Sequence, residues 1–295
     1  MSGQPADGAG PGPLAPHCYR HPDRETYISC QRCGRPICPD CMRPASVGFH
    51  CPECVSEGAK SIRQPRTMAG GLLPGQVGRV TMVIIAINVA MYVVTIATGG
   101  NNARFFEWGA MLPNSAVGSS GVVLTGVDDG GYWRLLTSAF LHENLLHIAF
   151  NMYAIYVFGP MLEQLLGLRR FIAMYLTTAV AASVAVYILG PERGLTIGAS
   201  GAVFGLFAVA LILLVRRGED VRFLLVLLAI NALLSLRGGI SWQGHLGGFV
   251  CGALLGLAFA YVPRNRATVV HALVFAAVWV LLLAGLVVRT AQLTT

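Results

Sequence analysis

Ile197-Gly198-Ala199-Ser200-Gly201-Ala202-Val203-Phe204-Gly205 opens an uncharged run that continues through Leu206 to Val215. A run of this kind reads as a membrane-spanning helix that begins near the serine. The ordinary role for such a hydroxyl is to bond back to the carbonyl one turn earlier, while small neighbours let helices pack closely. A second apolar run, Gly244-His245-Leu246-Gly247-Gly248-Phe249-Val250-Cys251-Gly252, points to another role. An imidazole in a membrane helix is costly and faces a polar interior. His245, Gly248 and Gly252 fall at i, i+3 and i+7 and share one helical face. A neighbouring helix can approach through those glycines and bring Ser200 within reach of His245. A serine is a poor nucleophile until a base takes its proton, and histidine is the usual base.

The chain has 295 residues, of which 55% are hydrophobic and 12% charged. Soluble domains carry about twice that charged fraction, so the fold class is an all-α polytopic membrane protein. The net charge of +7 does not indicate nucleic acid. The basic residues are nearly all arginine and punctuate hydrophobic runs, as membrane orientation requires. Seven apolar runs are expected to span: Val80 to Thr98, Leu145 to Leu166, Phe171 to Leu189, Leu195 to Val215, Phe223 to Leu236, Ile240 to Val262 and Ala267 to Val288. The fifth, with 14 residues, reaches about 21 Å as a helix. The hydrocarbon layer is roughly 30 Å thick, so local thinning or unwinding is expected there.

Arg63, Arg66 and Arg79, then Arg169 and Arg170, then Arg216, Arg217 and Arg222, then Arg264 and Arg266 occupy alternate connections. Those connections are expected on the cytoplasmic side, with the N-terminus. The starts of spans two, four and six then lie toward the outer leaflet. His147, Asn151, Ser200 and His245 fall there at similar depth. His147 and Asn151 are four apart and share a helix face; they either satisfy each other or a neighbouring backbone, or serve as donors to an oxyanion. His142, five residues before His147, is expected on a different face. Between spans one and two, Phe105, Phe106, Trp108, Tyr132 and Trp133 suggest a loop lying at the membrane interface.

Residues 17 to 56 form a separate unit. Seven of the eight cysteines lie there, as Cys18-x-x-His21, Cys30-x-x-Cys33, Cys38-x-x-Cys41 and Cys51-x-x-Cys54. Four pairs with one repeated gap supply ligands for two tetrahedral zinc sites. The odd cysteine number and the repeated gap weigh against a disulfide framework. So short a unit cannot bury much of a core, so metal supplies most of its folding energy. His50 is a candidate replacement for Cys51, and His17 is a bystander. The preceding stretch, 1–16, is polar, rich in Gly and Pro, lacks the apolar core of a signal peptide, and is expected to be a disordered tail. Residues 57–79 read as a linker.

Gly198-x-Ser200-Gly201, His245 with Gly248 and Gly252, and His147-x-x-x-Asn151 together resemble the rhomboid family of intramembrane serine proteases, over roughly Val80 to Val262. Each motif is common alone; their order on separate hydrophobic runs carries the likeness. The resemblance implies a six-helix core at 80–262 plus a seventh C-terminal helix at 267–288, in a multi-pass, bacterial plasma membrane protein. It implies a Ser200/His245 dyad without a catalytic cofactor and with oxyanion stabilisation by His147, Asn151 and the Ser200 backbone. It also implies packing of Phe204, one turn below Ser200, on the catalytic histidine. Substrates would be single-span membrane proteins cleaved in or near the bilayer. Trp133-Arg134 matches a pair often seen in the family's first loop.

The cysteine unit resembles the B-box group of cross-braced zinc fingers. That group would join Cys18, His21, Cys38 and Cys41 in one site and Cys30, Cys33, Cys51 and Cys54 in the other, holding two structural zinc ions and presenting a surface to a cytosolic protein partner. Two rival functions remain open: an inactive client-binding relative of the same fold, and a zinc-finger scaffold for which the membrane part is an anchor.

Overall fold

The computed structural model describes residues 15–61, 66–119, 121–235 and 240–294. Most of the tail read at 1–16, together with Arg63 and Leu236, lies outside the described residues. The chain divides into two compact units, Met1–Gln64 and Pro65–Thr295.

The first unit has little regular structure. A two-stranded antiparallel sheet of β1 (Arg43–Pro44) and β2 (Phe49–His50) precedes helix α1 (Pro52–Ser61). Pro52 suits a first helical position, where its missing N–H costs nothing. The interior is made of cysteines with Ile37 among them, all buried, and Tyr19, Met42 and Phe49 against them. α1 carries Cys54 into that interior and runs on to Ser61, so the ordered unit extends into the start of the expected linker.

The second unit begins with α2 (Arg79–Ala97). A long connection follows, with α3 (Arg104–Gly109), a hairpin of β3 (Ala116–Val117) and β4 (Val123–Leu124), and α4 (Arg134–Thr137). Then come α5 (Leu145–Leu166), α6 (Leu168–Leu189), α7 (Ser200–Arg217), α8 (Arg222–Ser235), α9 (Trp242–Tyr261) and α10 (Ala267–Thr294). Among the described residues six helices are long and apolar enough to cross a membrane, and α8, with 14 residues, is a shorter apolar helix. The protein is thus a helical multi-pass membrane protein.

Three helix starts and ends differ from the expectation. α6 begins at Leu168, directly after Gly167, whose φ of +82 lets the chain reverse without a longer turn. α7 begins at Ser200, and the five residues before it are not helical. The N–H and C=O groups of Thr196 and Met111 exchange bonds of 2.9 Å, and Gly198 donates its N–H to the Ser138 carbonyl at 2.9 Å. α10 continues six residues past Val288. There Tyr187 and Thr290 share a 2.8 Å hydroxyl bond, and Arg289 pairs with Glu192 at 3.3 Å.

α6 and α7 are central, each with 67% of its spanning window buried, whereas α2 and α10 are peripheral at 22% and 17%. Leu281 and Val287 of α10, and Phe150 and Tyr156 of α5, are exposed large side chains. In a bilayer such surface faces lipid at no cost, so helix association must come from close packing and polar contacts rather than from escape from water. α9 packs mainly on α7 and then on α6. A Cβ built on Gly252 would lie 2.5 Å from the Gly205 carbonyl oxygen and 2.7 Å from Gly205 Cα. Gly248 meets the Gly201 carbonyl at still closer range.

Polar groups in the bundle are tied locally. Glu163 is fully buried and caps the start of α2, accepting from Gly78 N at 3.0 Å, from Thr81 N, and from Thr81 Oγ1 at 2.6 Å. An anion at a helix N-terminus opposes the unsatisfied N–H groups there. His271 is buried: Arg170 Nε lies 3.1 Å from its Nδ1 and the Ala258 carbonyl 3.1 Å from its Nε2. Arg134 is also buried, and its guanidinium donates to the carbonyls of Thr125, Glu107 and Ala110, cross-linking the connection between α2 and α5. Trp133 stacks on Trp108 with centroids 5.5 Å apart and donates Nε1–H to the Trp108 carbonyl.

Because α7 and α9 touch backbone to backbone, a side chain at the contact must push them apart. Gly252→Val is expected to lower the melting temperature in detergent, since overpacking costs about 1–3 kcal/mol. An unchanged melting temperature would contradict the contact.

Candidate active site

The N-terminal ends of α5, α7 and α9 converge with the C-terminal halves of α6 and α8 on one cavity of about 990 Å³. His147, Asn151, Ser200 and His245 all line it, so the four residues picked from separate runs are brought together.

Each is positioned by a local device. Asn144 caps α5, its Oδ1 accepting the His147 N–H at 2.9 Å, which sets His147 in the first turn. Asn151 follows one turn later and donates one amide N–H to the His147 carbonyl at 3.0 Å. The other amide N–H is not used in that bond. Ser241 caps α9, accepting from Gly244 N at 3.2 Å and leading directly into His245. α7 differs: its N-cap is Ala199, which offers no side-chain oxygen. The first-turn N–H groups, that of Ser200 among them, therefore meet the cavity without a capping acceptor. Such a helix N-terminus favours negative charge.

Gly198 has φ +121, a conformation that L side chains rarely adopt. A Cβ there would lie 2.7 Å from His147 Nε2, so the His147 ring sits directly against the backbone two residues before Ser200. A Cβ on Gly201 would be 3.3 Å from the Gly244 carbonyl, which places the residues next to Ser200 and His245 against each other.

Phe204 stacks on His245, with centroids 4.1 Å apart and planes 13° from parallel. His245 is 8% exposed. Its Nδ1 lies 2.6 Å from Ser235 Oγ, and its Nε2 has no hydrogen-bond partner among the described residues. Sequence reasoning missed Ser235. It stands at the end of another helix, and no periodicity links it to His245. Ser138 was also missed; its hydroxyl lies 3.3 Å from that of Ser183, and both line the cavity.

His142 does not lie on another face of α5, as expected, because the Asn144 cap starts the helix after it. It sits in the preceding loop, edge-on to His147 with centroids 5.1 Å apart. Burial, with His147 beside it, pushes its pKa down to about 3, so it is neutral and cannot bring positive charge to the cavity.

In the N-terminal unit, Cys18, His21, Cys38 and Cys41 form one cluster and Cys30, Cys33, Cys51 and Cys54 another. Ligand atoms within each cluster lie within 4.8 Å of one another, so each can hold one metal ion. The chain order crosses between the two clusters as expected. His50 lies in β2 and His17 pairs with Glu25, and neither belongs to a cluster. Burial, with the neighbouring thiols, pushes Cys41 up to about 11 and Cys54 up to about 12. Burial also raises Cys18 and Cys30, but backbone N–H groups outweigh it and bring both to about 6.

A serine at a helix N-terminus without a side-chain cap, lining one cavity with a buried imidazole, is an arrangement suited to nucleophilic chemistry on a carbonyl. Residues 129–262, which hold all four cavity residues, match the family model of the rhomboid domain. The chain is 36% identical over 147 residues to the putative rhomboid protease YdcA of Bacillus subtilis, covering 48% of this chain and 73% of that protein. It is 31% identical over 189 residues to the rhomboid protease GluP of the same organism, covering 60% of this chain and 35% of GluP. With the rhomboid protease AarA of Providencia stuartii it shares 24% identity over 223 residues, covering 63% of this chain and 74% of that protein. The chain belongs to the rhomboid family.

Proposed function

We propose that the protein is an intramembrane serine endopeptidase that cleaves single-span membrane proteins through Ser200 and His245. The observation that carries this reading is the buried imidazole of His245, stacked on Phe204 with a free Nε2, in the same cavity as Ser200 at the uncapped start of α7. Three similar proteins are named as rhomboid proteases, which supports the reaction class.

In this mechanism Ser200 Oγ attacks the scissile carbonyl carbon while His245 Nε2 takes the hydroxyl proton. The carbonyl oxygen becomes an oxyanion. It accepts hydrogen bonds from the Ser200 N–H, the His147 ring and the second amide N–H of Asn151, with the positive end of α7 behind it. The intermediate collapses, the peptide C–N bond breaks, and His245 returns the proton to the leaving amine. Water then hydrolyses the acyl ester by the same route. Hydrolysis inside a bilayer needs a water-filled polar cavity, and irregular backbone at membrane depth is tolerated only where it lines one. The non-helical Gly194–Gly198 segment, which lines the cavity, fits that requirement.

The alternating arginines support a cytoplasmic N-terminus and an active site toward the outer leaflet. The two clusters of the N-terminal unit are read as two structural zinc sites, because three or four cysteine thiolates in a closed tetrahedral set suit zinc. The reducing cytosol keeps such thiols available, and a cytosolic protein is the natural partner for the finger.

Ser200→Ala and His245→Ala are expected to abolish cleavage of a model single-span substrate and labelling by a fluorophosphonate probe, with expression unchanged. Full turnover by Ser200→Ala would remove the assignment.

Asn151→Ala should slow turnover by about 10²–10³, the usual effect of losing one oxyanion donor. His147→Ala should slow it similarly or less. Wild-type rates for both would make the pair structural.

Metal analysis of the purified chain should find two zinc ions. Protons compete with metal for sulfur, so affinity should fall as pH is lowered. One ion per chain would contradict the paired clusters.

A further inference from the structure

The His245 ring has a partner on a different helix. Ser235 is the last residue of α8 and is 5% exposed. Its Oγ lies 2.7 Å from the Asn231 carbonyl oxygen, one turn back, and 2.6 Å from His245 Nδ1. A hydroxyl carries one proton and two lone pairs. A carbonyl oxygen can only accept, so the Ser235 proton goes to Asn231. Oγ then meets His245 with a lone pair, and Nδ1 must carry the hydrogen. A neutral imidazole has a single N–H, so Nε2 is left bare. The opposite tautomer would need the Ser235 proton for Nδ1 and would leave Oγ and the Asn231 carbonyl oxygen 2.7 Å apart with no hydrogen between them. Nε2 is also the ring atom that has no partner among the described residues.

We propose that Ser235 is a positioning residue that holds His245 in the Nδ1–H tautomer, so that Nε2 is ready to take a proton. This rests on His245 acting as the base. A hydroxyl here does the orienting work that a carboxylate does in serine triads, without adding a charge to a membrane cavity. Because Ser235 sits on α8 and His245 on α9, the readiness of the base depends on the C-terminal end of α8 being docked. α8 is the short helix of the bundle, and Leu227, Ile230, Asn231 and Leu234 line the cavity beside Ser235. Movement of that end away from α9 would free Nδ1 and release the tautomer. The carbonyl bond within α8 would survive such a movement.

The test uses the full-length chain in detergent micelles with ring-¹⁵N histidine. There are seven histidines, so the His245 signals are assigned by comparison with His245→Gln. In the unaltered protein His245 should show a protonated Nδ1 and a bare Nε2. A protonated Nε2 in the resting protein would overturn the proposal without any Ser235 variant. Ser235→Ala should lower kcat on a model single-span substrate about tenfold, as loss of one orienting hydrogen bond implies, with KM unchanged and the Nδ1–H signature lost. Ser235→Thr, which keeps the hydroxyl and the carbonyl bond, should restore both. Wild-type kcat in Ser235→Ala, or reduced kcat with the His245 signature intact, would overturn it. A failure of the base assignment reads out separately: His245→Ala would then retain cleavage, while the ring signature would still report whether Ser235 sets the tautomer.

Discussion

The membrane unit depends on the approach of α7 to α9 with nothing between their backbones. In lipid, burying one apolar surface against another gains little, because the tails are as apolar as leucine. What holds two helices there is the number of atoms brought to contact distance and the polar bonds they share. Gly248 and Gly252 on α9 face the carbonyls of Gly201 and Gly205 on α7, and no Cβ fits between them. The same contact fixes where Ser200 and His245 stand, since each is the immediate neighbour in sequence of a residue in the interface. The contact that packs the two helices therefore also brings Ser200 and His245 to one cavity.

Around that contact several buried polar groups are tied to specific partners. Glu163 spends its charge on the start of α2, at the opposite end of α5 from the His147 cap. Arg134 donates to the carbonyls of Thr125, Glu107 and Ala110 and so cross-links the long connection between α2 and α5. The Met111–Thr196 pair and the Ser138–Gly198 bond hold the approach to Ser200 extended. At the cavity the first turn of α7 has no side-chain cap, and one amide N–H of Asn151 stands outside its helix bond. Unsatisfied donors in a membrane protein are expensive, and their gathering at one place beside a serine and a histidine marks the site.

The N-terminal unit solves a different problem. It is too small to bury much apolar surface, and its interior is mostly cysteines, with Ile37 among them. The four short knuckles interleave along the chain, so that neither cluster can close without the other half of the unit being in place. That order ties metal binding to folding of the whole unit.

Hydropathy and spacing determined much of this protein. A long uncharged run has to be a helix in a bilayer, so the places and approximate bounds of the apolar helices follow from the residues alone, although only six of the seven expected spans are long enough to cross and α8 is shorter. The i, i+3, i+7 spacing of His245, Gly248 and Gly252 forced the imidazole and the close-packing surface onto one face. The repeated two-residue gaps forced four knuckles. What the sequence left open depends on contacts between distant segments. The start of α7 at Ser200 is set by Met111 and Ser138, which lie more than fifty residues earlier and pull Thr196 and Gly198 out of the helix. The burial of His271 depends on Arg170 in another helix, and the edge contact of His142 on His147 depends on a cap that shifts it into a loop. Ser235 is the clearest case. As a lone serine ending a short helix it has no periodic or spacing signal. Its place against His245 exists only once α8 and α9 are packed, because a hydrogen bond between helices is a property of their arrangement and not of either sequence.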